Sequence, residues 1–157
     1  MSRTLIWSGL DGWRAEIAHV EAGGEVLSAS GTQIGIAYEL RYELTQQLLR
    51  LEVVGGARRE LDLGGADFFD LGYSPLLNSL PVLRDGLLAG GPARDYVMAF
   101  VAVPSLDMTR AQQRYEPLGN RVVRFRSGDF TADLEYDEDG FVVCYPGLAI
   151  RTYPAAR

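Results

Sequence analysis

A two-residue alternation of apolar and polar side chains, repeated along most of the chain, is the feature that most limits how it can fold. Tyr38, Leu40, Tyr42 and Leu44 alternate with Glu39, Arg41, Glu43 and Thr45, and Leu49, Leu51 and Val53 alternate with Arg50 and Glu52. A period of two puts each set on its own face of a β-strand, so one face suits burial and the other water. Gly55 and Gly56 then supply the backbone freedom of a tight turn, and residues 59–63 return as the partner strand. The pattern recurs where Phe130, Ala132, Leu134 and Tyr136 alternate with Thr131, Asp133, Glu135 and Asp137; the polar run 137–140 breaks it before a strand at 141–145. Turn residues at 22–24 separate 13–20 from 26–30, and those at 117–120 separate 109–116 from 121–126. Turns at this spacing predict an all-β fold, a long curled antiparallel sheet in the form of a spiral β-roll or incomplete barrel.

Two segments depart from the alternation. Residues 96–103 are apolar or small on both faces, which predicts a central strand whose second face meets a plug, a helix or a ligand cavity. A short buried helix is the competing assignment, and the Val and aromatic content favours the strand. Between Leu71 and Pro81 the rhythm is lost. Ser74 followed by Pro75 suits an N-cap and first helical position, giving one or two short helical turns that Pro81 should stop. No repeat, low-complexity tract or linker interrupts the 157 residues, so a single domain over 1–157 is expected. A chain of that size buries about 70% of its unfolded surface without needing a disulfide or metal staple.

Composition narrows the functional classes. The lone Cys144 cannot close an internal disulfide, which fits a reducing, cytoplasmic location. The apolar run at residues 5–7 is too short for a signal peptide, and the longest, Tyr96 to Pro104, has nine residues against the ~18–20 of a spanning helix. A net charge of −6 argues against nucleic-acid binding. All 15 basic residues are Arg; Arg110, Arg114, Arg121, Arg124 and Arg126 would make a basic stripe if two strands brought them together, or a solvated edge that discourages sheet association. His19 is the only histidine, which excludes a multi-histidine zinc site and reads first as a strand side chain. The run from Glu135 imitates a calcium loop but places Glu first and Pro146 twelfth, against the Asp and Glu such a loop needs. The glycines sit between strands rather than between a strand and a helix, so no phosphate cradle is expected. Neither a metal nor a cofactor is expected.

Two longer stretches are more specific. The first runs from Leu63 to Arg84 and contains Asp67, Asp70, Ser74, Pro75, Asn78, Leu80 and Pro81; the second runs from Asp137 to Leu148 and contains Asp139, Gly140, Val142, Tyr145, Pro146 and Gly147. With Gln113, Arg114 and Tyr115 between them and Trp7 near the start, they resemble the bacterial family named Putative glycolipid-binding. The resemblance spans nearly the whole chain. It implies a curled β-roll around an apolar groove, similar in outline to lipid-handling half-barrels, with a lipid or glycolipid ligand. Asn78, Arg84, Gln113, Tyr115, Asp139 and Tyr145 match the family pattern and, with Trp7, are the candidate ligand-binding residues. Each also has a structural alternative: Asn78 as a turn closure, Arg84 as a partner of Asp67 or Asp70, the Tyr145–Gly147 segment as a buried corner. Two departures stand out. Asp67 and Asp70 lie three apart where the family pattern has two, because Phe69 intervenes, and Cys144 replaces the usual Asp before Tyr145.

Three functional classes follow. The leading one is a lipid or glycolipid tail held in the concave apolar face, with Arg84, Asn78 and Gln113 at the polar head and Trp7, Trp13, Tyr38, Tyr42 and Tyr115 as aromatic walls. The second is a small hydrolase or isomerase in which Asp67, Asp70, Asp139 and Tyr115 converge on one cleft. The third is a structural or interaction module whose groove is filled by its own side chains.

Overall fold

The computed structural model describes residues 2–10, 12–23 and 26–155. Its strands are β1 (Ser2–Gly9), β2 (Ala15–Gly23), β3 (Val26–Ile34), β4 (Glu39–Leu44), β5 (Leu48–Val53), β6 (Arg58–Asp62), β7 (Phe68–Leu71), β8 (Arg94–Val101), β9 (Met108–Gly119), β10 (Val122–Ser127), β11 (Phe130–Tyr136), β12 (Val142–Tyr145) and β13 (Ala149–Tyr153). They form one sheet in the order β6-β5-β4-β3-β2-β1-β13-β12-β11-β10-β9-β8-β7. Two antiparallel meanders, β1–β6 and β8–β13, are joined by the β1–β13 pair, while β7 lies parallel to β8 at the far edge. The expected alternation is realised: Leu40, Tyr42 and Leu44 are buried while Arg41 and Glu43 face water. The turn at 119–122 has positive φ at Asn120 and Arg121, as a tight two-residue hairpin requires. The β2–β3 turn expected at 22–24 falls in part outside the described residues.

The order of strands makes the sheet curl. In a flat sheet, twelve spacings of about 4.8 Å would set β6 about 58 Å from β7. Yet the two are consecutive in the chain, and the five residues joining them reach about 20 Å. The sheet therefore rolls on itself until its two edges are near neighbours, without their pairing into a closed barrel.

Residues 72–93, which carry the chain from β7 to the parallel β8, fill the inside of the roll. They contain two 3-10 turns, Leu77–Ser79 and Leu87–Ala89, and α1 (Leu80–Asp85). A parallel pair needs such a crossover, and here it serves as a plug. Leu76, Leu77, Val82 and Leu87 are buried in the core. Polar bonds tie the plug to both meanders. From the first, Gln33 Nε2 donates to Gly72 O at 2.8 Å and Glu16 Oε1 accepts from Leu76 N at 3.2 Å. From the second, Tyr136 OH donates to Asn78 O at 2.8 Å and Val142 N donates to Ser79 Oγ at 3.1 Å. Trp7 crosses between the halves, its Nε1 donating to Val142 O at 2.8 Å.

Three sequence expectations change. Pro81 does not stop the helix but lies in the first turn of α1, where a missing N–H costs nothing. Ser79, not Ser74, takes the N-cap position, with its hydroxyl engaged by Pro75 O and Val142 N rather than by the helix. The doubly apolar segment is β8, a penultimate rather than central strand; Tyr96 and Met98 on one face and Ala99 and Val101 on the other are all buried. The arginines at 110–126 form neither an edge nor an unbroken stripe. β9 and β10 are interior strands, and Arg114 pairs with Asp95 at 2.9 Å and Arg124 with Asp133 at 2.8 Å.

Gly31 on β3 faces Tyr42 on β4, and a Cβ there would overlap the Tyr42 ring. Gly31→Val is expected to destabilise the fold by about 1–3 kcal/mol through overpacking, read as a lower urea midpoint with unchanged m-value.

Candidate functional site

The plug leaves one part of the interior open. Where β7 and β8 end and the β10–β11 and β12–β13 turns come together, a cleft of about 620 Å³ enters the roll. Register explains its walls. Asp70 on β7 lies beside Phe100 on β8, and Gln113 on β9 lies opposite Tyr96, two positions along β8 from Met98 and four from Phe100. Even separations keep Asp70, Phe100 and Gln113 on one face. Phe100, Val103, Phe125, Phe130 and Leu148 make the apolar wall, while Asp70, Gln113, Asn78, Ser74 and Tyr145 supply polar atoms.

Gln113 Nε2 donates to Asp70 Oδ2 at 2.7 Å, and Gln113 Oε1 is buried without a partner. Burial pushes the Asp70 carboxyl up to about 6, against the opposing effect of hydrogen bonds from Gln113 and the Leu71 N–H. Asn78 Nδ2 donates to Tyr115 OH at 3.1 Å. The Tyr115 ring lies edge-on to Phe125 at 5.3 Å, and Tyr145 stacks on Phe130 at 6.2 Å. A carboxylate and an amide oxygen beside an aromatic wall make an acceptor-rich seat for hydroxyl groups with an apolar flank.

Next to the cleft lies a second buried polar group. Glu16 is enclosed among Tyr42, Ser74 and Leu76, and burial pushes its carboxyl up to about 7. Ser74 and Tyr42 lie close enough to act on that carboxyl. Even so, Glu16 Oε2, Tyr42 OH and Ser74 Oγ are each short of hydrogen-bonding geometry.

The structure distributes the sequence candidates among several places. Asn78, Gln113 and Tyr145 meet at the cleft, and Tyr115 supports Asn78 from the core. Trp7 is buried at 1% exposure in the core and does not reach the cleft. Arg84 lines a separate hollow of about 330 Å³ together with Asp67; its guanidinium pairs with Asp85 and lies 4.1 Å above the Phe68 ring. Asp139 sits in the β11–β12 turn, paired with Arg3 at 2.8 Å. Beside it Asp137 accepts from Arg151 at 2.6 Å and from Arg3 at 3.3 Å, so this acidic run clamps the chain's two terminal strands. His19 shares a 2.9 Å hydrogen bond with Thr4 on the sheet. A wider concavity of about 830 Å³ follows β2–β6, but its Arg and Glu side chains neutralise one another, as in Arg50–Glu60 and Arg58–Glu52.

Asp67 and Asp70 part company because Asp67 sits in the bend before β7, its carboxylate accepting from Val97 N at 2.8 Å, whereas Asp70 lies on β7 and lines the cleft. Phe100 and Phe130, which sequence reasoning read as strand residues and not as site residues, join Gln113 and Tyr145 because alternation along each strand, once in register, keeps them on one face. Cys144, one residue from Tyr145, points away from the cleft by the same rule.

The architecture and site thus define a plugged, incompletely closed β-roll with one amphiphilic cleft at its end. The chain belongs to the protein family described as Putative glycolipid-binding, which matches residues 51–151 and so includes every residue named above as lining the cleft. A crystal structure of a DUF1089-family protein from Pseudomonas aeruginosa is similar with a TM-score of 0.65 at 21% identity, over 85% of this chain and 90% of that one. That likeness shows the fold. Comparison with curated proteins gives no match.

Asp70 and Glu16 hold protons more tightly folded than unfolded, so unfolding between their ordinary values of 3.8 and 4.5 and their raised values of about 6 and about 7 releases protons. Stability from these groups is complete below that window and falls as pH rises through it. The urea midpoint is expected to drop between about pH 4 and about pH 7, and Asp70→Asn to flatten the part of the drop below about pH 6; at about 1.4 kcal/mol per pH unit its share is on the order of 3 kcal/mol. Asp137 and Asp85, whose carboxyls are lowered against the effect of burial, the first by the Phe141 N–H and Arg151 and the second by Arg84 and Tyr96, act in the opposite sense at lower pH.

Proposed function

We propose that the cleft binds a lipid or glycolipid, with the hydroxylated head on Asp70 and Gln113 and the apolar part along Phe100, Val103 and Phe130 toward the mouth. The observation that carries this is the pairing, in one cavity, of a buried carboxylate and an unpartnered amide oxygen with an aromatic and aliphatic wall. Membership of the family supports the ligand class. The plug occupies the concave face that sequence alone offered to a tail, so the head, not the tail, is the part that enters. The hydrolase alternative lacks its carboxylate set, because Asp67 and Asp139 lie outside this cleft. No helix among the described residues is long and apolar enough to cross a membrane.

Native mass spectrometry of freshly purified protein is expected to show a retained lipid mass. Asp70→Asn, which keeps the side chain's shape, is expected to weaken retention of a glycosylated lipid about tenfold, the scale of one lost charge-assisted hydrogen bond. Asp139→Asn is expected to leave it unchanged. A clean apo mass together with no binding across a lipid array would overturn the proposal.

A further inference from the structure

Antiparallel pairing sends alternate turns to opposite ends of the roll, and the two ends differ in chemistry. One end gathers the turns β1–β2, β3–β4, β5–β6, β8–β9, β10–β11 and β12–β13 together with residues 72–74. Among the described residues eleven large apolar side chains are exposed, and all but Leu118 and Tyr153 lie on or beside this end. Trp13 at 85% and Ile36 at 82% are the most exposed of all. The charged residues described in these turns are Arg14, Asp107 and Asp129, with Glu39, Glu52, Arg58, Arg59 and Arg126 on the strand ends beside them, and the Arg14 guanidinium is laid 3.5 Å over the Tyr73 ring. At the opposite end the turns carry Asp67, Arg121, Asp137, Glu138 and Asp139, with Asp137 and Asp139 paired to Arg3.

Scattered exposed apolar residues need no explanation, but a concentration of them at one end does. The chemistry selects the occupant. A nucleic acid or an anionic membrane would require an excess of basic residues, and at this end the four arginines are matched by four carboxylates on a chain of net charge −6. A headgroup layer without net charge, into which Trp and Ile side chains insert, requires what is present: aromatic and aliphatic tips on a rim whose charges balance. The rim also borders the cleft mouth. Leu10 N donates to Leu148 O at 2.8 Å, and Leu148, Tyr73 and Phe130 line the cleft.

We infer that this apolar rim is a docking surface for a zwitterionic lipid bilayer, seating the protein with the opposite end of the roll away from the membrane and the cleft mouth against it. The surface is defined by the rim itself and stands whether or not the cleft retains a lipid.

The two tryptophans make the test direct, since Trp7 is buried and Trp13 is exposed. Adding phosphatidylcholine vesicles is expected to shift Trp emission to the blue, brominated phosphatidylcholine to quench it, and the protein to float with the vesicles at high and low salt alike. Trp13→Ser combined with Ile36→Ser is expected to reduce flotation at least tenfold while leaving the urea midpoint and the lipid mass seen by native mass spectrometry unchanged. No blue shift and no flotation from a protein that retains a lipid would overturn the docking surface and leave the cleft proposal intact. Flotation by a protein with a clean apo mass would support the docking surface and overturn the cleft. Flotation only with anionic vesicles would overturn it, as would a dimer by light scattering whose Trp13 is already shielded without vesicles.

Discussion

Everything in this molecule depends on a short piece of chain between two distant strands. The five residues after β6 must reach β7, which the hydrogen-bonding order places at the opposite edge of thirteen strands. A sheet obeying that tether has to roll, and a rolled sheet of this breadth encloses more space than its own inward side chains fill. The crossover into β8 enters that space as a plug, and the cleft is what the plug leaves over. Curl, plug and cleft are successive consequences of one connection.

The plug also explains the buried polar residues, which would otherwise be costly. Short 3-10 turns leave backbone groups without partners of their own, and these must be met from the surrounding sheet. Glu16, Gln33 and Tyr136 do so at Leu76, Gly72 and Asn78, and the plug returns one bond, Ser79 Oγ accepting from Val142 N of the sheet. Asn78 therefore serves two ends: its carbonyl fastens the plug, and its side chain, braced by Tyr115, edges the cleft. A residue needed in both capacities couples the shape of the cavity to the integrity of the core.

Much of this was legible in the sequence because strand burial has a period that side chains must obey. The alternations at 38–45 and 130–137 give the strands and their inward faces, and the glycine and asparagine turns give the hairpins. The burial of both faces of β8 was legible too, from eight residues with no polar side. What was not legible depends on contacts far apart in the chain. Nothing local to Trp7 says that Val142 will sit above its indole nitrogen, and nothing local to Pro81 distinguishes a helix that ends from one that begins. Arg84 and Asn78 are close in sequence, yet a single turn of helix sends them to separate hollows.

The seam between the two meanders sets an order of events. β1 is made first and β13 last, and each is the other's neighbour in the finished sheet, with Trp7 opposite Arg151 and Gly9 opposite Ala149. During synthesis the growing chain can form one meander and begin the other, but the strand that joins them does not yet exist. The roll is therefore completed only once the last strand is free of the ribosome. Until then the inward apolar face of the first meander is left for chaperones, or for the plug, to cover.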